Sequence, residues 1–403
     1  MTSSGRESAV PRRDFLKSAV AIGGAAALSA CVSREGDVDI PPGTDDPSTL
    51  PNRQHAWQEF LRRDEHGNAV VPRHHVVLAF DLPHDGPPGA SDRESVEAAF
   101  RSLERAFEWS NRGLLFTVGY SRSYFERFDR PLPDAIDLPR PEPLAPFENP
   151  EPDDSEAIVH LASDHARVVL AADESLRGQK DELGGVEASA SLTDAVTEVD
   201  RRTGFVGAGL PADNQDVRGV PDDDPIDEDA PLYMGFKSAY EENQASEDRV
   251  TIQESGFAGG TTEHISNLSL NLDQWYDQDS RFQRVAKMYA PHHAEADLVE
   301  GVGDNLGTNS RVDEAAEPST AARQDGLVGH SQKMVSVREN DQPVILRRDF
   351  DSTDGGAANL HFVSLQREIA DFVETREAMN GTDLSKGSAV GTRNNNGILQ
   401  RSE

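Results

Sequence analysis

Acidic side chains outnumber basic ones in this chain by 72 to 39, and the formal charge of −33 limits the conditions under which it can fold. At low ionic strength the many negative side chains repel one another, which opposes a compact folded state. In concentrated salt the repulsion is screened within about 3 Å. Lysine is also scarce relative to arginine. The composition predicts a salt-adapted protein, as in haloarchaea, and argues against nucleic-acid binding, which needs basic surfaces.

The apolar residues suffice for a folded core, although that core is lean. Hydrophobic residues make up 36% of the chain and aromatic residues 6%. Apolar segments with regular spacing recur through most of the sequence, which excludes an acidic disordered chain. The residues beyond position 30 are numerous enough for one large domain or two domains of ordinary size.

The first 31 residues have the form of an export signal. The pair Arg12-Arg13 is followed by Asp-Phe-Leu-Lys, which is the twin-arginine pattern. The apolar run over 19–30 is too short to span a bilayer as a permanent helix. It ends in Leu-Ser-Ala before Cys31, which is the pattern of a lipoprotein cleavage site. We expect the chain to be exported in the folded state. We also expect a lipid on Cys31 that anchors the chain to the outer surface of the cell membrane.

The sequence divides into two structured halves. Residues 212–231 are rich in proline and aspartate, which disfavours regular structure, and we expect them to form an acidic surface loop. The predicted segments are a signal over 1–31, a flexible linker over 32–53, a first half over 54–211, the acidic loop over 212–231, a second half over 232–380 and a mobile tail over 381–403.

Hydrophobic periodicity predicts similar elements in both halves. In the first half it predicts strands over 75–82, 113–120, 157–162 and 166–172, and helices over 91–109, with Ser91 as the N-cap, and about 181–201. In the second half it predicts strands over 261–273, 343–348 and 359–366, and helices over 279–289 and 367–380. This order indicates an α+β fold with two ferredoxin-like halves, each an antiparallel sheet flanked by helices.

Several kinds of site are excluded by the sequence. Cys31 is the only cysteine, so thiolate metal clusters and an internal disulfide are excluded. No phosphate loop, dinucleotide fingerprint or Gly-x-Ser-x-Gly elbow occurs. The adjacent pairs His74-His75 and His292-His293 are poor chelators, because neighbours in a strand point to opposite faces. His330 is a candidate ligand, but its local sequence alone favours an ordinary core or solvent histidine.

Several weak motifs occur in an order that is more specific than any one of them alone. They are the segment 113–128 (GLLFTVGYSRSYFERF), Gly235-Phe236-Lys237, the strand and helix from 259, Ile345-Leu346-Arg347-Arg348, and 360–367 (LHFVSLQR). Together, from about residue 75 to 380, they resemble the dye-decolorising peroxidase superfamily, in particular its exported twin-arginine branch. That superfamily has the dimeric α+β barrel type of fold.

The resemblance implies a role for three residues. His330 would correspond to the proximal ligand of the iron of haem b, with a carboxylate or carbonyl on its second ring nitrogen. Arg347 matches the distal arginine, whose permanent charge can polarise peroxide. Arg348 would hold a haem propionate or a surface carboxylate. The alternative for both arginines is ordinary charge pairing in an acidic protein.

One position departs from the family pattern. The family places an aspartate, which moves the peroxide proton, where this chain has Ser238, and a glycine where it has Ala239. Serine has no pKa in the useful range, so it cannot replace that acid–base group. Glu241 and Glu242 are close in sequence. Haem binding is therefore better supported than peroxidase turnover.

Three functions stay open at this point. The first is a haem peroxidase that uses hydrogen peroxide to oxidise a small-molecule reductant outside the cell. The second is a non-catalytic haem- or iron-handling surface lipoprotein, and the third is a cofactor-free protein that keeps the fold. The reductant is not specified by the sequence, and a homo-oligomer is left open.

The export signal makes a testable prediction about the mature protein. We expect the chain isolated from the membrane of its host to begin at Cys31 and to carry lipid mass, as intact-mass spectrometry would show. Replacing Arg12-Arg13 by two lysines should retain the unprocessed chain inside the cell. A mature protein that starts elsewhere without lipid would contradict the anchor.

Overall fold

A computed structural model of the chain describes residues 38–145, 148–150 and 152–381, together with residues 28, 32, 36 and 384. Arg12, Arg13 and Cys31 lie outside the described residues, so the signal and the lipid anchor stay predictions. Within the described part of the chain, no helix has both the length and the hydrophobicity to cross a membrane.

The first half has the strand and helix order of a ferredoxin-like unit. Its sheet order is β4-β1-β3-β2, and every neighbouring pair is antiparallel. The elements are β1 (His74–Asp81), α1 (Ala90–Ala106), β2 (Leu115–Tyr120), β3 (Ala157–Ser163), α2 (Ala166–Leu176) and β4 (Thr197–Phe205).

The second half is built around one central strand, β8. β5 pairs with one edge of β8, and β6 and β7 pair one after the other with its opposite edge. The elements are β5 (Thr262–Ser269), α3 (Arg281–Met288), α4 (Pro291–Glu295), α5 (Pro318–Gln324), α6 (His330–Lys333), β6 (Leu346–Arg347), β7 (Phe350–Ser352), β8 (Asn359–Gln366) and α7 (Ile369–Asn380).

A single contact between strands joins the two halves into one eight-stranded sheet. Asp351 of β7 pairs with Phe205 of β4. Two small hairpins and several single helical turns occupy the connections: Arg62–Arg63 with Ala69–Val70, Glu182–Leu183 with Val186–Glu187, and the turns Arg122–Phe125, Leu210–Asp213 and Glu247–Val250. The predicted α+β class with an antiparallel sheet is confirmed.

Three local predictions are wrong. Residues 166–172 belong to helix α2, because the buried Val168, Val169 and Ala172 repeat with helical spacing despite their β-branched members. The helix predicted over 181–201 is absent. Gly184 and Gly185 both take positive φ and turn the chain into a hairpin instead, after which β4 begins. The N-cap of α1 is Gly89, so Ser91 lies inside the first turn.

The acidic segment 212–231 is also less exposed than expected. Ile226 and Ala230 are buried and join the hydrophobic core of the second half.

The sheet curls until its two outer strands face each other. A Cβ atom added at Gly119 of β2 would lie 3.7 Å from the Glu263 Oε2 atom of β5. A cleft with a volume of about 2120 Å³ opens beside β5 and is lined from both faces of that strand, by Glu263 and Ile265 on one and by His264 and Ser266 on the other. Helices α1 and α2 cover the convex face of the first half, and α7 covers that of the second. The sheet thus has one surface towards the helices and one towards the interior between the two halves, where Val77 packs with Phe350 and Val363.

The junction of the two halves gives a stability prediction. Gly204 of β4 lies against the Phe350 ring and the Asp351 carbonyl oxygen, and a Cβ atom there would overlap both. We expect Gly204→Ala to lower the free energy of unfolding by about 1–3 kcal/mol, measured by urea denaturation in concentrated salt. Gly256→Ala is the matched control, because nothing lies within 4 Å of its added Cβ atom. Equal stability of the two variants would contradict the packing described at this junction.

Candidate functional site

The strand register places Arg347 and Arg348 on opposite faces of the sheet. Arg347 pairs with Ser364, which pairs in turn with His264 on β5. The His264 ring stacks on Phe372 of α7 with a centroid distance of 3.7 Å, so this is the helix-covered face. Because neighbouring residues of a strand point to opposite sides, Arg348 lies on the other face, where it contacts Trp57.

Arg347 shares its face with a buried carboxyl group. The Arg347 Nη1 atom lies 3.4 Å from Asp349 Oδ2, and the Val363 backbone N–H donates to Asp349 Oδ1 at 3.0 Å. Only 8% of the Asp349 side chain is exposed. Burial raises the pKa of Asp349 to about 6, against the opposing effects of Arg347 and of the Val363 hydrogen bond. Both forms of this carboxyl group are therefore accessible near neutral pH.

Sequence reasoning missed Asp349. The motif resemblance includes the arginine pair but not Asp349, and a single aspartate does not stand out in a chain with 72 acidic residues. One signal was available: Asp349 follows Arg347 by two residues, and side chains two residues apart in extended chain point to the same side. Its burial and raised pKa come from tertiary packing.

His330 is the first residue of α6 and is held in a neutral form. Burial and, to a smaller extent, the charges of Arg347 and Lys333 lower the pKa of His330 to about 3. Its Nδ1 atom is buried and has no hydrogen-bond partner among the described residues. The structure thus brings Arg347 close enough to act electrostatically on His330. The carboxylate or carbonyl expected on the second nitrogen of His330 is not seen at Nδ1.

The segment that carries His330 is fixed against Tyr289. A Cβ atom at Gly329, the N-cap of α6, would collide with the Tyr289 carbonyl oxygen, so only glycine fits there. The Gln332 backbone N–H donates to that same oxygen at 3.2 Å. The Tyr289 hydroxyl lies 3.0 Å from the Tyr240 hydroxyl. Tyr289 therefore connects the His330 segment to the loop that contains the Gly-Phe motif.

Ser238 lies in that loop, half-buried, and no acidic group replaces the expected aspartate there. The next residue, Ala239, has a φ of 60°, a left-handed conformation that disfavours most side chains. Glu241 pairs with Arg63 at 3.0 Å. Glu242 accepts hydrogen bonds from Thr308 and Asn309. Both glutamates are thus bound to other partners.

Arg348 is almost completely buried on the face of the sheet opposite to Arg347. It donates to the His55 carbonyl oxygen at 2.6 Å, lies 3.4 Å from Glu247 Oε1 and stacks over Trp57 at 3.9 Å. Burial lowers the pKa of Arg348 to about 10. The structure does not bring Arg348 together with His330 and Arg347, and its carboxylate partner, Glu247, is itself only 12% exposed.

The residues present meet one requirement of a haem site, which is a histidine that can bond the iron. A neutral imidazole is the form that bonds haem iron, and the low pKa of His330 keeps it in that form at neutral pH. No described residue forms a hydrogen bond with its buried Nδ1 atom, so this side chain has room for a partner from outside the described chain.

Comparisons with known proteins place the chain in a family. The model of DUF7405, a family of unknown function, matches residues 72–401, so the chain belongs to that family. No curated protein matches the sequence.

Solved structures show which class of fold this is. DyPB from Rhodococcus jostii matches with a TM-score of 0.52 and 14% identity over 83% of this chain and 90% of its own. A dye-decolorizing protein from V. cholerae matches with a TM-score of 0.51 and 14% identity over 86% of this chain and 93% of its own. A variant of the Rhodococcus jostii protein, similar to the same degree, was solved in complex with heme. The fold is therefore that of the DyP-type peroxidases.

The buried carboxyl group gives a prediction about stability and pH. The pKa of Asp349 is about 6 in the folded protein and near 3.8 in the unfolded chain, so folding favours the protonated form. Its stabilising effect is complete below about pH 4 and is lost as the pH rises through about 6. Relative to Asp349→Asn, the wild type should lose about 3 kcal/mol of unfolding free energy across that range.

Urea denaturation of both proteins at several pH values, in the same concentrated salt, measures this difference. The exposed Asp277→Asn variant is the control and should follow the wild type at every pH. A difference between Asp349→Asn and the wild type that does not change with pH would mean that Asp349 titrates normally.

Proposed function

We propose that this protein binds haem b through His330 and acts as a peroxidase. The observation that carries the proposal is the neutral His330, with its unpaired buried nitrogen, within electrostatic reach of Arg347. The DyP-type fold supports it, because a relative with this fold was solved in complex with heme. Hydrogen peroxide is the proposed oxidant, and a small molecule outside the cell the proposed reductant.

Bound haem would supply an iron that takes oxidising equivalents from peroxide and passes them to the reductant. Arg347 carries a permanent positive charge, which would stabilise negative charge that develops on the peroxide oxygens. Asp349 lies beside Arg347 and would hold the proton that the peroxide gives up. Its pKa of about 6 suits that task near neutral pH. Asp349 would thus supply the acid–base group that Ser238 cannot.

A second candidate is a haem- or iron-handling protein without peroxidase activity. Ser238 favours it, since the family's acid is missing from the loop that normally carries it. In this case Asp349 is a buried structural carboxyl group, and His330 still binds the haem.

Export through the twin-arginine route agrees with either function. A cofactor that is inserted before translocation requires a protein that leaves the cell already folded. We propose that the mature chain stands on the outer face of the membrane of a salt-adapted cell, held by lipid on Cys31.

The visible spectrum tests the proposal. Mature protein expressed in concentrated salt with haem should show a Soret band, which His330→Ala should abolish or shift while the exposed His66→Ala variant leaves it unchanged. Asp349→Asn should keep the band and lower the rate of peroxide-dependent oxidation roughly 100-fold, the usual contribution of a positioned acid–base group.

The other outcomes separate the candidates. A band without peroxide-dependent oxidation would favour the haem-handling protein. A folded protein without a band, or a band unchanged in His330→Ala, would overturn the assignment of His330.

A further inference from the structure

Two strands of the sheet each have one edge without a partner strand among the described residues. β2 pairs with β3 on one edge, and β5 pairs with β8 on one edge. A free edge presents a row of backbone N–H and C=O groups that can bond to another chain. Residues of both strands line the cleft. The cleft is therefore bordered by free strand edges on two sides.

The lining of the cleft shows that it lies beside the edges of these strands. Residues 117–120 of β2 and 262–268 of β5 line it one after another. The face of a strand would contribute every second residue, since neighbours point to opposite sides. From Glu263 to Ser269 no residue of β5 is fully buried, whereas seven of the eight residues of β1 are. The space beside β5 is thus open to both faces of that strand.

The directions of β2 and β5 fit one additional strand. Six antiparallel pairs separate β2 from β5 around the sheet, so the two strands run in the same direction. A single strand between them, running the other way, would form antiparallel ladders on both sides. Two strands would leave one parallel pair. The gap therefore matches one extended segment of chain.

A side chain already bonds to the free edge of β2. Gln54 Oε1 accepts the Val118 N–H at 3.1 Å. Gln54 is exposed and lines the cleft. When its side chain moves aside, a carbonyl oxygen of an added strand can accept the same N–H. The proline-rich segment 136–145 also lines the cleft, but its described residues form no ladder with either edge, and proline has no N–H to donate.

The two edges lack the usual protection against pairing. Natural sheets blunt a free edge with lysine, proline or other charged side chains. β2 and β5 have six and eight residues, and Glu263 is the one Asp, Glu, Lys or Arg among them. The chain as a whole is 28% charged. These edges therefore favour pairing with another chain.

The charges around the cleft favour an uncharged partner. Every basic residue that lines it forms an ion pair with an acidic residue, so an acidic segment would find no free cation. A second copy of this chain would bring a formal charge of −33 to the same place. The edges themselves offer a basic segment one carboxyl group, that of Glu263. The paired basic residues are Arg53, Arg122, Arg140, Arg202, Lys287 and Arg376.

The two sides of the gap differ in character. On the interior side, Gly119 has no side chain, and Glu263 Oε2 lies 3.7 Å from the position of a Cβ atom there. On the helix side, the half-buried Ile369 and Val373 of α7 line the cleft. Small polar side chains suit the first side and branched apolar ones the second. Six paired residues, the length of β2, extend over about 20 Å.

We propose that the cleft binds an extended, uncharged segment of another polypeptide, which pairs as a strand with β2 and β5. The segment runs antiparallel to both and alternates small polar with branched apolar residues. Backbone hydrogen bonds hold it, and the alternate side chains give selectivity. This binding goes beyond the proposed peroxidase function and needs no haem.

Calorimetry with the capped peptide Ser-Val-Thr-Val-Thr-Val-Ser tests the proposal, on the mature chain in concentrated salt without haem. We expect one peptide to bind per chain and to slow hydrogen exchange of backbone amides in β2 and β5. The same peptide with N-methyl groups on its valines is the control. It keeps every side chain but loses the N–H donors of one edge, so it should not bind detectably.

Two variants at exposed positions test the edges. Gln54→Ala should tighten binding about threefold to tenfold, because the hydrogen bond to Val118 no longer has to be broken. Asn267→Lys places a charge on β5 and should weaken binding about fivefold. Gln179→Lys, exposed and outside the cleft, is the matched control and should bind like the wild type.

The remaining outcomes decide the inference. His330→Ala should bind the peptide unchanged, which separates this site from the haem proposal whatever the outcome there. Absence of peptide binding, or equal binding of the N-methylated peptide, would overturn the inference. Dimers that form without peptide and protect the same amides would assign the edges to a second copy and would also overturn it.

Discussion

The buried guanidinium of Arg348 ties the second half of the chain to the first. Arg348 directly follows β6, yet its partners come from the segment that precedes β1: the Trp57 ring and the His55 carbonyl oxygen. Glu247 strengthens the connection, because it also accepts the backbone N–H groups of Trp57 and Gln58. Removing one member of such a buried network leaves the others unpaired, typically at about 3–5 kcal/mol.

Hydrophobic periodicity predicted the strands that are fully buried or that alternate between apolar and polar residues. It failed where tertiary contacts decide between strand and helix. The strand of eight residues from His74, and β5 and β8, follow from their apolar spacing. The strand predicted over 166–172 is wrong because an apolar run with two valines is compatible with both a strand and a helix. Its packing against β3 selects the helix. The hairpin at Gly184-Gly185 replaced a predicted helix because two adjacent glycines favour a turn over helix.

The candidate site was predictable to a similar extent. A motif comparison could identify His330 and Arg347, because each stands at a fixed place in an ordered series of segments. It could not assign Arg348 to its contacts with His55 and Trp57, since those depend on tertiary packing. Nor could it find Asp349, whose pKa is raised by the protein packed around it. In the proposed function, the acid missing from one loop would be supplied by Asp349, which no motif of the sequence marks.

The facing edges of β2 and β5 have a mechanical consequence. In a closed barrel, widening the interior means breaking the hydrogen bonds of a strand ladder. Here the two outer strands approach each other at Gly119 and Glu263 without a ladder between them in the described residues. The space between the two outer strands can therefore widen at that seam while every strand pair stays intact, because no ladder has to break there. Any widening is confined to that line, since every other neighbouring pair of strands in the sheet is joined by a ladder.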